Sequence, residues 1–363
     1  MPRTNCSQAL QEQILQALSE QKTLQPCGGH SKDFYGRTVN GEKLSCAGHR
    51  GILNYEPKEL VLTAKSGTPL QEIEAILAER GQMLAFEPPH FGPGTTLGGV
   101  VAAGLAGPAR AYRGSVRDYV LGVRVINGHG QILHFGGEVI KNVAGYDISR
   151  LLTGSLGTLA LLLEVSLKVL PLPEAETTIS MSCDSTTALQ HMLTWSRQAL
   201  PITATAWYRD QLYCRLSGER SAVHDAISLI GGDENTDGSI FWTALREQTL
   251  PAFTASKRLW RLSVPPTTLL REESGEVILE WGGALRWCCE NRHLIIDKTD
   301  YWDYAKTVGG HATCFRGAKP GTEVFQPLPS ELLALHQRLK LAFDPKSLFN
   351  PGHLYGTTAA TGL

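Results

Sequence analysis

The 363-residue chain contains no stretch of about 18 consecutive apolar residues, so no segment reads as a membrane-spanning helix. Its longest uncharged segment, 88–109, is interrupted by glycine and proline. An excess of one charge is also missing. Thirty-four Lys and Arg stand against 35 Asp and Glu, a formal charge of −1, with no long run of either sign. That balance excludes nucleic acid and an acidic membrane surface as implied partners. The opening residues lack the apolar core of a secretory signal, so the expected place of work is cytoplasmic, with the inner membrane reached only peripherally through partners. The eight cysteines are scattered, and none forms the C-x-x-C pair from which zinc and iron–sulfur sites are built. They read as reduced thiols, and no metal site is expected. The adjacent Cys288 and Cys289 would point to opposite faces of a strand. Neither G-x-x-x-x-G-K-[ST] nor a strand–helix G-x-G-x-x-G occurs, which excludes a P-loop enzyme and a Rossmann dehydrogenase.

What is present is a two-part α+β pattern, as the length suggests. Residues 7–20 carry Leu10, Ile14, Leu15 and Leu18 at helical spacing. Residues 61–64 form a short strand, and Thr68-Pro69-Leu70-Gln71 opens a helix with a capping threonine and proline at its first position. Strands at 119–126 and 131–135 are joined by Asn-Gly-His-Gly, a hairpin signal. A strand at 159–170 stops at Pro171 and Pro173, and 171–176 is the clearest boundary. Beyond it come strands at 177–182, 259–264 and 277–281, a hairpin at 203–216 about Arg209 and Asp210, and helices at 186–199 and 222–230. These predict an antiparallel sheet with helices on one side. A last helix spans 330–343.

Two glycine-rich segments are suited to close approach by a bulky anion. One is 26–32, with Pro26, Gly28, Gly29, His30, Ser31 and Lys32. The other is 92–107, where Thr95, Thr96, Leu97, Gly98 and Gly99 lead into a helix of small residues. Glycine admits left-handed backbone and leaves amide N–H groups uncovered, and a helix N-terminus attracts phosphate. Each segment taken alone also fits a tight turn with no ligand. A third run, 141–159, lies in the same half of the chain.

The order P-x-G-G-x-S, T-x-G-G, then A-G-Y-D-x-x-R-L-x-x-G-S-x-G-T-L resembles the vanillyl-alcohol-oxidase (PCMH-type) FAD-binding family over about 150 residues. Gly114-Ser115-Val116-Arg117-Asp118 adds that family's turn. Asn54-Tyr55-Glu56-Pro57, Phe86-Glu87-Pro88-Pro89-His90, Trp281-Gly282-Gly283-Ala284-Leu285-Arg286-Trp287, Gly309-Gly310-His311-Ala312-Thr313 and Phe349-Asn350-Pro351-Gly352 further resemble the FAD-binding subunits of bacterial glycolate oxidase complexes. The resemblance implies a PCMH-type FAD-binding domain of two α/β subdomains at 1–172, an antiparallel α+β cap at 173–345, and a tail at 346–363 packed on the first domain. It implies FAD, with its pyrophosphate across Gly28–Lys32 and Thr95–Gly99. Gly67, Thr68, Ser115, Val116, Arg117, Asp118, Gly145, Tyr146, Asp147, Gly154 and Gly157 would close round the rest of the cofactor. It also implies a larger flavin subunit and an iron–sulfur subunit as partners. Two positions depart from the pattern. Ala160 stands where the family often has glycine, which would crowd the adenine. His30 matches the histidine that some relatives bond covalently to flavin, whereas the closer resemblance implies dissociable FAD.

Oxidation of a small 2-hydroxyacid such as glycolate needs a proton acceptor and a cation for the carboxylate. His311 and Arg286, both in glycine contexts, are the candidates. The 2-hydroxyacid dehydrogenases that this region resembles carry a paired-histidine, glutamate metal site, and here only one such histidine is apparent. That favours a supporting role beside the larger flavin subunit.

Overall fold

The computed structural model describes residues 6–137, 147–271, 275–290 and 298–356. Five strands make an antiparallel sheet in the order Ile52–Glu56, Val61–Lys65, Ala160–Lys168, Val120–Asn127, Ile132–Gly136. The hairpin between the last two is set by its side chain: Asn127 Oδ1 accepts from the N–H groups of His129 and Gln131, both at 3.0 Å, while Gly130 takes φ +74°. The central strand Ala160–Lys168 is buried on both faces, which explains its nearly unbroken apolar run. Leu162, Val165 and Leu167 pack under the helices Leu70–Ala78 and Leu97–Ala103, whereas Leu161 and Leu163 pack under the helix Ser7–Ser19. Each such leucine or valine contributes roughly 1.5–3 kcal/mol through burial. Thr68 does not cap its helix. Its hydroxyl is held by the backbone of Gly51, and Pro69 takes the cap position.

The chain leaves this sheet at Lys168 and enters an eight-stranded antiparallel one. Its order is Asp233–Glu234, Ala175–Ser182, Gln211–Gly218, Ile202–Tyr208, Glu276–Glu280, Leu285–Glu290, Arg258–Ser263, His311–Arg316. Arg209 and Asp210, at φ +49° and +56°, form the two-residue turn of its central hairpin. Helices Ser185–Trp195, Arg220–Ile230 and Lys298–Thr307 are on one face. Contrary to the one-sided expectation, two shorter helices, Gly238–Arg246 and Pro251–Ala255, lie on the other. There they share a core with Ala103, Leu105 and Leu156 from the first half of the chain. Neighbouring Cys288 and Cys289 fall in cores on opposite faces, as a strand requires.

The C-terminal segment returns to the first sheet. After the helix Ser330–Phe343, fully buried Asp344 accepts from Lys340 Nζ at 2.6 Å and from the N–H groups of Leu348 and Phe349 at 2.9 and 2.7 Å. Lys340 also donates to the carbonyls of Thr158 and Phe349. Leu24 N–H then bonds Leu348 O, and Asn350 N–H bonds Leu24 O. The tail thereby lies alongside Leu24–Cys27, which itself pairs in parallel with Glu42–Ser45.

Candidate functional site

Three glycine-rich segments distant in sequence meet at one cleft of about 960 Å³, its open mouth included. Contacts between glycine backbones hold them together. A Cβ on Gly29 would lie 1.5 Å from Gly94 O, and one on Gly28 would lie 2.3 Å from Thr96 Oγ1. Gly104, at φ +63°, touches Gly154, whose N–H bonds Val101 O. The glycines are thus needed where backbone meets backbone, and an open cleft is left beside them.

That cleft suits a polyanionic group. The backbone N–H groups of residues 28–32 donate to no acceptor among the described residues. His30 takes φ +60°, the kind of turn that gathers successive N–H groups into an anion-binding concavity. Two buried polar atoms on the lining, Ser66 Oγ and Asn350 Oδ1, have no hydrogen-bond partner among the described residues. Lys32 adds a cation. Its Nζ contacts Ser31 Oγ and His90 O and lies 5.6 Å from the Phe91 ring centre. Burial lowers its pKa to about 8, against an upward pull from Glu247. These features fit the pyrophosphate and polar edges of FAD.

Of the residues expected at the cofactor, Pro26, Gly28, Gly29, His30, Ser31, Lys32, Thr96, Gly98, Gly99 and Gly157 line the cleft. Ala160, the position whose methyl was expected to crowd the adenine, lines it as well. The others stand off the lining, and most have structural reasons to do so. Gly67 packs on Cys46 O. Thr95 Oγ1 bonds Ser31 and the His90 carbonyl. Leu97 and Val116 belong to the core. Ser115 and Asp118 form a reciprocal cap on the short helix Val116–Tyr119, while Arg117 reaches Thr153 O. Asp147 caps Ile148–Leu152, and Gly154 takes φ +82°. Gly145 and Tyr146 lie outside the described residues. The helix N-terminus at Leu97 is also more occupied than expected. Leu97 and Gly98 donate to Thr68 O and Ser66 O, and Gly99 to its own cap, Thr96 Oγ1. The uncovered amides are in the 28–32 loop instead.

Ser66, Tyr35, Asn350 and His353 also line the cleft and were not among the residues expected there. Asn350 had a local signal in Phe-Asn-Pro-Gly. It adopts φ +41°, and its Nδ2 donates to Leu156 O beside Gly157.

A second chamber, about 370 Å³ with its mouth, lies where the two sheets meet. Apolar Leu105, Leu245, Leu285 and Phe315 line it together with Arg261, Glu280 and Trp281. Tyr35, on the first cleft, stacks 5.1 Å from Phe315, on the second. Glu280 is buried and accepts from Trp287 Nε1 at 2.6 Å, and desolvation raises its pKa to about 7. His311 opens its strand opposite Ser263. Partial desolvation, then the charges of Arg261 and Arg110, hold its imidazole below the ordinary histidine value. Both effects favour its neutral form.

Arg286 requires a correction. Its guanidinium is buried at 2% exposure and donates to the carbonyls of Thr268, Leu269 and Gly283 and to Tyr304 Oη. An arginine so engaged clamps the 268–269 turn, and its N–H groups are not presented to a carboxylate.

A cleft that gathers uncovered amides and a lysine at one end of a five-stranded sheet, beside a sheet-to-sheet chamber, defines a flavin-binding protein of the FAD-linked type. The model of the FAD binding domain family matches residues 5–136. The chain belongs to the family of glycolate oxidase subunit GlcE. It is 46% identical to that subunit of Escherichia coli (strain K12) over 349 residues, 96% of this chain and 97% of the other. A D-lactate dehydrogenase of Archaeoglobus fulgidus is 25% identical over 83% of this chain and 78% of its own. In fold, the chain is similar to an alkyldihydroxyacetonephosphate synthase structure, with a TM-score of 0.66 at 15% identity, covering 96% of this chain and 75% of that one.

Proposed function

We propose that this protein is the FAD-binding subunit of a glycolate-oxidising complex that converts glycolate to glyoxylate beside a larger flavin subunit. Its electrons leave through an iron–sulfur partner rather than directly to oxygen. What carries the reading is the end-to-end similarity to a named glycolate oxidase subunit, combined with a cleft whose amides, Lys32, Ser66 and Asn350 fit FAD. When bound, FAD supplies a two-electron acceptor. The residues of this chain bind and orient. Residues 28–32 hold the pyrophosphate, and the tail at Asn350 and His353 closes over the cleft. A neutral His311 imidazole nitrogen accepts the hydroxyl proton.

The engagement of Arg286 favours a second reading, a supporting subunit whose bound flavin is not itself reduced by substrate. Anaerobic titration with glycolate and with D-lactate separates the two, with flavin absorbance followed at about 450 nm. Bleaching of the isolated chain means a self-sufficient oxidase. Bleaching of this chain's own flavin once the partner subunits are added supports the proposed complex, and a flavin on this chain that stays oxidised throughout supports the second reading. Purified protein that is colourless and takes up no FAD sinks both.

A further inference from the structure

The sequence run Trp281-Gly282-Gly283-Ala284-Leu285-Arg286 was singled out for its arginine, but the structure draws attention to its tryptophan. Trp281 is buried at 6% exposure and holds φ +55°, a strained conformation for a bulky side chain. Its indole N–H bonds Gly107 O, and the next amide, Gly282 N–H, bonds Thr205 Oγ1. Two guanidinium groups lie against this one ring, Arg110 at 4.5 Å and Arg261 at 5.2 Å from its centre. Arginines elsewhere in the fold have carboxylate partners, as Arg215 has Glu87 at 2.6 Å and Arg124 has Glu164 at 2.6 Å. Arg110 and Arg261 make no hydrogen bond or ion pair with any described residue. Glu280, the nearby carboxyl, is held by Trp287. A desolvated cation with no acceptor loses hydration that nothing replaces. Of the two, Arg261 is the partly enclosed one on the chamber wall, while Arg110 reaches the ring from the exposed side, and they repel each other across one indole.

We propose that Arg261, seconded by Arg110, binds the carboxylate of a short organic acid at the Trp281 turn. Leu105, Leu285 and Phe315 form the apolar wall for its carbon chain, and His311 stands at its hydroxyl or keto group. The ligand class, a 2-hydroxy- or 2-oxoacid of a few carbons, rests on the oxidoreductase reading above, whereas the anion site itself does not. A low-dielectric wall strengthens such an ion contact, and the fork of a guanidinium matches a carboxylate.

Oxalate, a non-oxidisable short diacid, is the probe. The full-length, FAD-loaded protein is titrated while tryptophan fluorescence and the melting temperature are read. A saturable response and a rise in melting temperature are expected for the wild type. Arg261→Met is expected to weaken oxalate binding at least about tenfold. It should also melt higher than the wild type without oxalate, because a partly desolvated charge with no hydrogen-bond acceptor has been removed. Arg261→Lys should recover part of the affinity, and the exposed control Arg209→Gln should leave it unchanged. No saturable response in the wild type, unchanged affinity in Arg261→Met, or a lower melting point for that variant overturns the proposal. So does loss of FAD rather than of oxalate binding, which would assign the cation to the cofactor. Because no turnover is involved, Arg261-dependent oxalate binding alongside a flavin that glycolate never bleaches would sink the function while leaving this site standing.

Discussion

Lys32 gives the cofactor cleft a pH dependence that can be worked out in advance. In the absence of an anion its pKa is lowered to about 8 because burial removes water and only neutral acceptors, Ser31 Oγ and His90 O, replace it. A pyrophosphate placed against it stabilises the charged form and returns the pKa toward the ordinary value of about 10.4. The sign follows from linkage. Binding takes up a proton wherever the cofactor-free lysine is neutral, so FAD affinity is full below pH 8 and declines as pH rises through it. With these two pKa values the dissociation constant rises about tenfold between about pH 7 and 9. Fluorescence titration of apoprotein with FAD across that range measures it, with circular dichroism to exclude alkaline unfolding. Lys32→Met should bind at least about tenfold more weakly at pH 7 and show no slope. Lys32→Arg, which does not titrate here, should bind without a slope. A flat wild-type profile, or a slope that survives in Lys32→Met, refutes the reasoning.

Three further outcomes are expected. Glu280→Gln should be near neutral at pH 5 and stabilising by roughly 3 kcal/mol at pH 8, as judged by urea unfolding at both. The folded carboxyl titrates at about 7 instead of near 4.5, so native stability is lost as pH climbs through that window. Lys340→Met leaves the Asp344 carboxylate buried against two backbone amides without its cation, for a loss of roughly 3–5 kcal/mol. The double variant with Asp344→Leu should lose less than the sum of the two single losses, because the second change removes the stranded charge, yet stay below the wild type because Asp344 also holds Leu348 and Phe349. Gly29→Ala, which forces a methyl onto Gly94 O, should cost about 3 kcal/mol and loosen FAD, whereas Gly154→Ala, with open space around it, should cost about 1 kcal/mol for its left-handed φ alone.

Much of this architecture was legible in local patterns. The helix expected at 330–343 is Ser330–Phe343, and the hairpin about Arg209 and Asp210 turns where its polar pair stands. The glycine segments were legible too, although only as three runs in one order, since each alone also fits a tight turn. The tie between Leu24–Cys27 and the tail was not, since a single bridge from Leu24 to Phe349 across more than 300 positions leaves no periodicity. The strand His311–Arg316 was missed as well, its role as an edge being set by its partner Arg258–Ser263. At the site, motif reading favoured Arg286 over Arg261. Glycine context reports where backbone is exposed, but whether a guanidinium already has acceptors depends on a turn 17 residues away, at Leu269. Thr68 misled in the same way, its hydroxyl being held by Gly51 rather than by its own helix.

The closure of the cleft by Asn350 and His353 also sets an order of events during synthesis. The 28–32 loop emerges early, but the walls opposite it come from residues 155–157 and finally from the tail. At roughly 5–20 residues per second the wait between the first and last wall is on the order of tens of seconds. Throughout it the amides of the loop face water and the strand Leu24–Cys27 lacks its C-terminal neighbour. The complete cleft in this chain therefore exists only after translation of residue 353, and a ribosome stalled before that point would hold it half-built.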